Sequence, residues 1–202
     1  MTDDTIQGSP AWVEARLGRA TASMFSAVMA KGQGITRTKY LRRVVCERLT
    51  GKPADTFSNA HTDRGTEQEG FARLAYESLT GNVVEEVGFI QHPTLMTGYS
   101  PDGHISIDGG LEIKSVISTV QLDTILAGGY PSEHRCQIMG SLWLSGRTFW
   151  DFASYSPDMP DHLKLYIFRV TRDEQFIATL AAEVKSFLTD VDALVEKLRG
   201  MS

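Results

Sequence analysis

The chain has 202 residues, 42% of them hydrophobic and 22% charged, with 20 Lys and Arg against 25 Asp and Glu for a net charge of −5. That length suits one domain, residues 1–202, able to bury a sizeable core, and the composition is that of a globular protein rather than a disordered, fibrous or disulfide-stapled one. No apolar run approaches the ~18–20 residues of a membrane span, the polar start Met1-Thr2-Asp3-Asp4 is not a signal peptide, and the distant Cys46 and Cys136 argue against zinc and for a reducing compartment.

Ser9 followed by Pro10 marks a helix start, a serine cap with proline at the first helical position. That helix runs to about Leu17 and stops at Gly18, and a second begins near Ser23. A third, about Thr38–Leu49, places Tyr40, Leu41, Val44, Val45 and Leu49 on one stripe and ends at Thr50-Gly51. Residues 52–61 read as a loop. A long helix, about Thr62–Leu79, is expected to bury Phe71, Ala75 and Leu79 and to close at Gly81. Strands follow near Val83–Ile90, Leu95–Tyr99, Gly103–Ile107 and Gly110–Val116, then helices near Thr119–Leu126 and Ser132–Leu144 with glycine stops. Strands near Phe149–Tyr155 and Leu163–Val170 precede a helix from Asp173 to Arg199, with Phe176, Leu180, Val184, Phe187, Val191, Leu194 and Leu198 in its apolar stripe. The pattern predicts an α/β fold with one central mixed sheet flanked by helices.

The chemistry-bearing segment is Ser100-Pro101-Asp102-Gly103 followed by Leu111-Glu112-Ile113-Lys114. An Asp108-Gly109-Gly110 turn between them folds the Asp102 strand back onto the strand carrying Glu112 and Lys114, because Asp-Gly takes the positive φ angles of a tight hairpin. Side chains alternate, so Glu112 and Lys114 share one face while Leu111 and Ile113 take the other. A solvated hairpin with a surface Glu–Lys pair contains the same triplet. The apolar residues on alternate positions indicate a half-buried strand, where a charged pair needs a reason to exist. Two carboxylates beside one lysine suit Mg²⁺ or Mn²⁺ and a water aimed at phosphorus. Asp102 and Glu112 are the candidate metal ligands with the Ile113 carbonyl a third, and Lys114 is placed to hold the attacking water or stabilise transition-state charge. The net charge argues against nucleic-acid binding, but Lys31, Arg37, Lys39, Arg42, Arg43, Arg48 and Lys52 face a single acid, Glu47, between positions 31 and 52. Arg42 and Arg43 are adjacent, so both cannot point to one helix face.

Gln7–Trp12, Arg16–Ser23, Arg64–Glu69, Tyr99–Gly103, Gly110–Lys114, Cys136–Trp143 and Asp151–Pro157 follow one another in an order and spacing that resemble the phage lambda exonuclease family. These are YqaJ-like alkaline exonucleases of viral recombination modules, within the PD-(D/E)xK nuclease superfamily. The resemblance covers roughly residues 7–175. It implies a restriction-endonuclease-like fold, two Mg²⁺ ions per site that Mn²⁺ can replace, and a 5′→3′ exonuclease that trims one strand of linear duplex DNA to leave 3′ tails. It further implies a ring of three subunits, a single-strand annealing protein as partner, and a phage or prophage enzyme in the cytoplasm of its bacterial host. Glu69 matches the family position of an additional carboxylate, whereas Glu67, two residues away, faces elsewhere. Gln137 matches a glutamine that orients water or a ligand; Met139 stands where relatives carry a second glutamine, and a buried structural role for Gln137 stays open. Arg16, Ser23 and Ser100 match the positions that hold a 5′-phosphate, with Ser23 also an N-cap candidate and Arg19 a second arginine. His61, His92, His104, His134 and His162 lack metal-ligand spacing. A ring would gather the basic 31–52 segments toward its channel with the acidic C-terminal helices outward. An endonuclease sharing the metal residues, and a non-catalytic DNA-end scaffold, are the rival readings.

Overall fold

The computed structural model describes residues 7–30, 35–54 and 60–201, with side chains described from Gln68 onward in the last segment. Ser9 caps α1 (Pro10–Arg16), its hydroxyl accepting the Trp12 N–H at 3.1 Å. The chain turns at Gly18, where φ is +65° and a Cβ would lie 2.7 Å from Arg48 Cγ. It then enters β1 (Ala20–Thr21), too short to leave a periodic signal. A 3₁₀ turn at Ala22–Met24 leads into α2 (Phe25–Met29), followed by α3 (Ile35–Thr50) and α4 (Ala60–Thr80). Part of the expected 52–61 loop, residues 55–59, lies outside the described residues.

The strand expected over Val83–Ile90 is two short ones, β2 (Val84–Glu85) and β3 (Ile90–Gln91), in different sheets. The run Val83-Val84-Glu85-Glu86-Val87-Gly88 pairs like with like and breaks the period of two that one continuous half-buried strand needs. Next come β4 (Thr97–Tyr99), β5 (Gly103–Ile105), β6 (Gly109–Ser115), α5 (Ser118–Ala127), α6 (Arg135–Ser145), β7 (Phe149–Tyr155), β8 (Leu165–Thr171) and α7 (Glu174–Arg199), all near their expected places. Five strands form a mixed sheet in the order β2-β5-β6-β7-β8, with β6 and β7 parallel and the other pairs antiparallel. A smaller sheet, β1-β4-β3, sits beside it.

The β5–β6 hairpin differs from the expected Asp-Gly turn. Its register closes at Ile105 opposite Gly109, and the positive φ of 52° falls on Ser106. Gly109 and Gly110 are strand residues instead: a Cβ there would lie 2.2 Å from the Phe149 ring and 2.3 Å from the Trp150 ring. These glycines let β7 aromatics lie across β6.

One sheet face packs Val84, Ile105, Leu111, Ile113 and Ala153 against Ala72 and Tyr76 of α4. Trp150 and Phe152 on the other face join the larger core under α2, α3, α6 and α7. The α4 stripe is one position off the expected one: Ala72 and Tyr76 are buried, whereas Phe71 is 66% and Leu79 68% exposed. Tyr76 selects this rotation, because its hydroxyl donates to the buried Asp151 carboxylate at 2.7 Å, where Arg169 also forks.

Candidate active site

Strand β6 positions the carboxylate cluster. Leu111 and Ile113 fill the α4 side, which turns Glu112 and Lys114 toward α6. Asp102, just before β5, donates its N–H to the Leu111 carbonyl at 3.1 Å and accepts the Ile113 N–H on Oδ2 at 2.5 Å. The β5–β6 pairing ends at Gly103–Leu111, so at Ile113 a carboxylate stands where a neighbouring strand would be. Strand periodicity points the Ile113 carbonyl to the same side as that of Leu111, past the end of β5. Lys114 Nζ and Gln137 Nε2 both donate to Glu112 Oε1, at 2.5 and 2.6 Å. Gln137 thus holds the Glu112 carboxylate from α6.

Burial, and then the neighbouring Glu112, push the Asp102 carboxyl well above its usual range; Lys114 and the Ile113 N–H oppose this. Burial pulls the Lys114 ammonium down, but Glu112, Asp102 and Glu69 together outweigh it and leave its pKa above the usual lysine value. Negative charge is therefore crowded here beyond what one lysine balances.

A divalent cation fits that imbalance. Glu112 is 1% exposed, and with Oε1 accepting two donors its Oε2 is enclosed with no partner. The remaining donors, Asp102, that Oε2 and the Ile113 carbonyl, are hard oxygens, of the kind Mg²⁺ accepts along with retained waters. Among the described residues no three His, Cys, Asp or Glu side chains form a ready-made cage. Glu69 lies within electrostatic reach of Asp102, Glu112 and Lys114, but its carboxylate is held by Arg73 at 2.7 Å. Burial is the main cause that raises the Glu69 pKa, with Arg73 opposing it. The Glu67 side chain lies outside those described.

A cavity of about 290 Å³ adjoins α1, with Trp12, Arg16, Arg19, Ser23, Arg43 and Glu47 in its lining. Arg16 lies 4.0 Å from the Trp12 ring centroid and 5.6 Å from that of Phe89, and its Nη1 donates to Ser100 Oγ at 3.4 Å. Trp12 Nε1 donates to the same Ser100 oxygen at 2.8 Å. Burial pulls the Arg16 pKa down to about 10. Arg16 thus has aromatic and hydroxyl neighbours and, among the described residues, no ion-paired carboxylate. Ser23 borders the cavity but is inside the 3₁₀ turn, which lacks a side-chain cap, so the N-cap reading of Ser23 is not realised. Ser100 joins the two regions, being two residues from Asp102. Trp12 carried no assigned role in the sequence, and its partner Ser100 lies 88 positions away.

The basic segment is arranged differently from the expected segregation of charge. Arg37 pairs with Asp190 at 2.8 Å and Arg48 with Asp192, so α3 lies on the acidic α7 rather than apart from it. Arg43 reaches the cavity while bonding the buried Glu47 at 3.1 Å; Glu47 also accepts the Gly18 N–H at 3.0 Å and so ties the loop after α1 to α3. Lys31 lies outside the described residues, as does the side chain of His61. His134 stacks on Phe152 at 5.5 Å, and burial followed by the charge of Lys114 lowers its pKa to about 4.

The profile of the YqaJ-like viral recombinase domain matches residues 11–148. No curated protein matches the chain in sequence. Among solved structures, an alkaline exonuclease from Laribacter hongkongensis, LHK-Exo, superposes with a TM-score of 0.88 at 37% identity, over 95% of this chain and 96% of that one. The same enzyme in complex with dAMP gives a TM-score of 0.88 at 38% identity, over 95% and 96% of the two chains. A phage-related exonuclease from Haemophilus somnus 129PT, at 14% identity over 89% of this chain and 96% of that one, shares the fold with a TM-score of 0.69. The chain belongs to the YqaJ-like viral recombinase family and is an exonuclease-like nuclease.

Proposed function

We propose that the protein is a 5′→3′ exonuclease that degrades one strand of linear duplex DNA from a 5′-phosphorylated end, with Mg²⁺ or Mn²⁺ as cofactor. The observation that carries this reading is Arg16. It is a half-buried guanidinium that itself makes no ion pair among the described residues, lining a cavity whose carboxylate, Glu47, is taken by Arg43, and it is tied through Ser100 to a carboxylate cluster two residues on. A half-buried arginine with no direct ion pair and a hydroxyl beside it is suited to an anion. A terminal phosphate seated there would bring the next phosphodiester toward Asp102 and Glu112. The complex of the Laribacter enzyme with dAMP, a deoxynucleoside monophosphate of the kind such hydrolysis releases, supports the same chemistry.

Asp102, Glu112 Oε2 and the Ile113 carbonyl would hold the divalent ions, with Glu69 as an additional carboxylate. Bound there, such ions lower the pKa of the attacking water and offset charge growing on phosphorus. Gln137 fixes the Glu112 carboxylate from α6, and Lys114, anchored on Glu112, holds the attacking water or meets the developing negative charge.

A ring of three subunits and action with a single-strand annealing protein complete the proposal. A ring needs two different faces that meet head to tail. Two apolar strips lie on opposite sides of the five-stranded sheet and support that arrangement: Phe71 (66% exposed) and Leu74 on α4, and Leu122 and Leu126 (75%) on α5.

The test compares three substrates with Mg²⁺: linear duplex with 5′-phosphate, the same duplex with 5′-hydroxyl, and closed circular DNA. Fast loss of the first, slow loss of the second and survival of the third are expected. Cleavage of the circle would instead indicate an endonuclease.

A further inference from the structure

We propose that Arg73 is a positioning residue for the divalent ion, the outer partner that aims the Glu69 carboxylate at the site. This rests on the metal-dependent reading above and extends it to a residue outside the carboxylate cluster. Arg73 lies one helical turn after Glu69 on α4, and its Nη2 donates to Glu69 Oε1 at 2.7 Å. Its Nη1 pairs with Glu86, in the segment between β2 and β3. The guanidinium side chain is only 15% exposed, and its Nε is enclosed with no partner.

Three features separate this arrangement from an ordinary surface ion pair. First, an i,i+4 pair on an exposed helix is worth a few tenths of a kcal/mol and leaves both side chains mobile; here Arg73 and Glu69 are 15% and 22% exposed. Second, the two acids reach different nitrogens of one planar fork. Glu86, itself 69% exposed, meets one nitrogen while Glu69 is held on another, and a planar fork presents both at a set angle, which a lysine's single point charge cannot do. Third, Glu69 is within electrostatic reach of Asp102, Glu112 and Lys114. Without Arg73 the Glu69 carboxylate would be repelled by Asp102 and Glu112 and free to turn to solvent. Ligating carboxylates are generally oriented by hydrogen-bonding partners behind them, and losing such a partner weakens metal affinity about 10- to 100-fold. Arg73 holds Oε1, and among the described residues the Glu69 oxygen it leaves to an ion is Oε2.

The test measures Mn²⁺ binding to the DNA-free protein by calorimetry, alongside thermal melting, for wild type, Arg73→Met, Arg73→Lys, Glu69→Gln and Arg73→Met/Glu69→Gln. Arg73→Met keeps the apolar stem and is expected to bind Mn²⁺ about tenfold more weakly. Arg73→Lys should recover only part of the loss. In the double variant the Arg73 change should add nothing to Glu69→Gln, because the carboxylate it aims is gone. Unchanged or tighter Mn²⁺ binding by a folded Arg73→Met would overturn the proposal, and so would full additivity, which marks a purely structural residue. Should Arg73→Met melt too low to assay, Arg73→Lys against wild type carries the comparison, and equal affinity there overturns it. No Mn²⁺ binding by wild type would sink the metal-dependent reading itself, a separate outcome.

Discussion

The indole of Trp12 donates to Ser100 Oγ at 2.8 Å while its ring lies 4.0 Å from the Arg16 guanidinium, so one side chain holds two of the three candidate phosphate-pocket residues. Trp12→Phe keeps the aromatic face and removes only the N–H, whereas Trp12→Leu removes both. The preference for a 5′-phosphate over a 5′-hydroxyl end should fall by a few-fold in Trp12→Phe and by tenfold or more in Trp12→Leu, since a stacked, desolvated cation gains about 0.5–2 kcal/mol from the ring. Rates on the two ends, measured under single-turnover conditions, check this. Equal losses on both ends in both variants would mean that Trp12 supports the fold and not the pocket.

Arg16→Ala should abolish most of that preference. A charge-assisted bond of about 1.5–3 kcal/mol is worth roughly ten- to a hundredfold. Arg16→Lys should resemble alanine more than wild type, because a lysine loses the fork and the stacking between Trp12 and Phe89. Rates on the 5′-hydroxyl duplex should change little in either variant. A large loss on both substrates would place Arg16 in the chemistry rather than in end recognition.

Elements with their own punctuation were legible in the sequence: Ser9-Pro10 opening α1, the left-handed glycines at 128 and 146 closing α5 and α6, and the seven-residue β7. What failed was long-range. The α4 rotation is set by Tyr76 reaching Asp151, 75 positions away, and a helical wheel cannot weigh one buried hydrogen bond against two exposed apolar side chains. Gly109 and Gly110 look like turn residues, yet they are dictated by Phe149 and Trp150 on a strand not adjacent in sequence. In the candidate site, Glu112 and Lys114 were readable because the strand period of two puts them on one face, and Asp102 because a short hairpin folds its strand back beside them. Arg73 and Trp12 were not, since each acts through a residue whose position only the fold reveals.

Asp102→Asn should eliminate hydrolysis and yet stabilise the metal-free protein. The folded-state pKa of Asp102 is raised, so its contribution to stability is complete below the unfolded value and is lost as pH rises through the folded one. At neutral pH the carboxylate weighs against the apo fold, and asparagine relieves this while its Oδ1 can still accept the Ile113 N–H. Each ~1 kcal/mol relieved raises Tm by roughly 2–4 °C in a chain of this size. Added Mn²⁺ should raise the melting temperature of wild type and not of the variant. A lower Tm for metal-free Asp102→Asn would contradict the charge-crowding account.

Tyr76→Phe should destabilise the fold by about 1–3 kcal/mol, since Asp151 would lose its 2.7 Å donor inside the sheet. Arg169 would remain forked on Asp151 at 2.8 and 2.9 Å. The loss should appear as a lower urea midpoint with an unchanged slope. A midpoint within error of wild type would mean that Arg169 alone satisfies Asp151.

Two buried histidines couple the fold to acid. His104, buried beside Tyr99, and His134, stacked on Phe152, both have pKa values lowered to about 4, chiefly by burial. An unfolded histidine takes a proton near 6.5. Between those values the unfolded chain binds more protons than the native one, so stability is greatest above pH ~6.5 and declines as pH falls toward 4. Below about 4 these two groups add no further slope. The raised carboxyl of Asp102 acts in the opposite sense, so the histidine part is read as a difference: between pH 6.5 and pH 4.5 the urea midpoint of wild type should fall relative to that of His104→Gln, with no such divergence between pH 8 and pH 6.5. His134 also feels the Lys114 charge. Lys114→Met should therefore let His134 protonate at higher pH, a shift that its imidazole proton resonance would report. An imidazole titrating near 6.5 in the wild-type protein would show that His134 is not held against Phe152 beside the lysine.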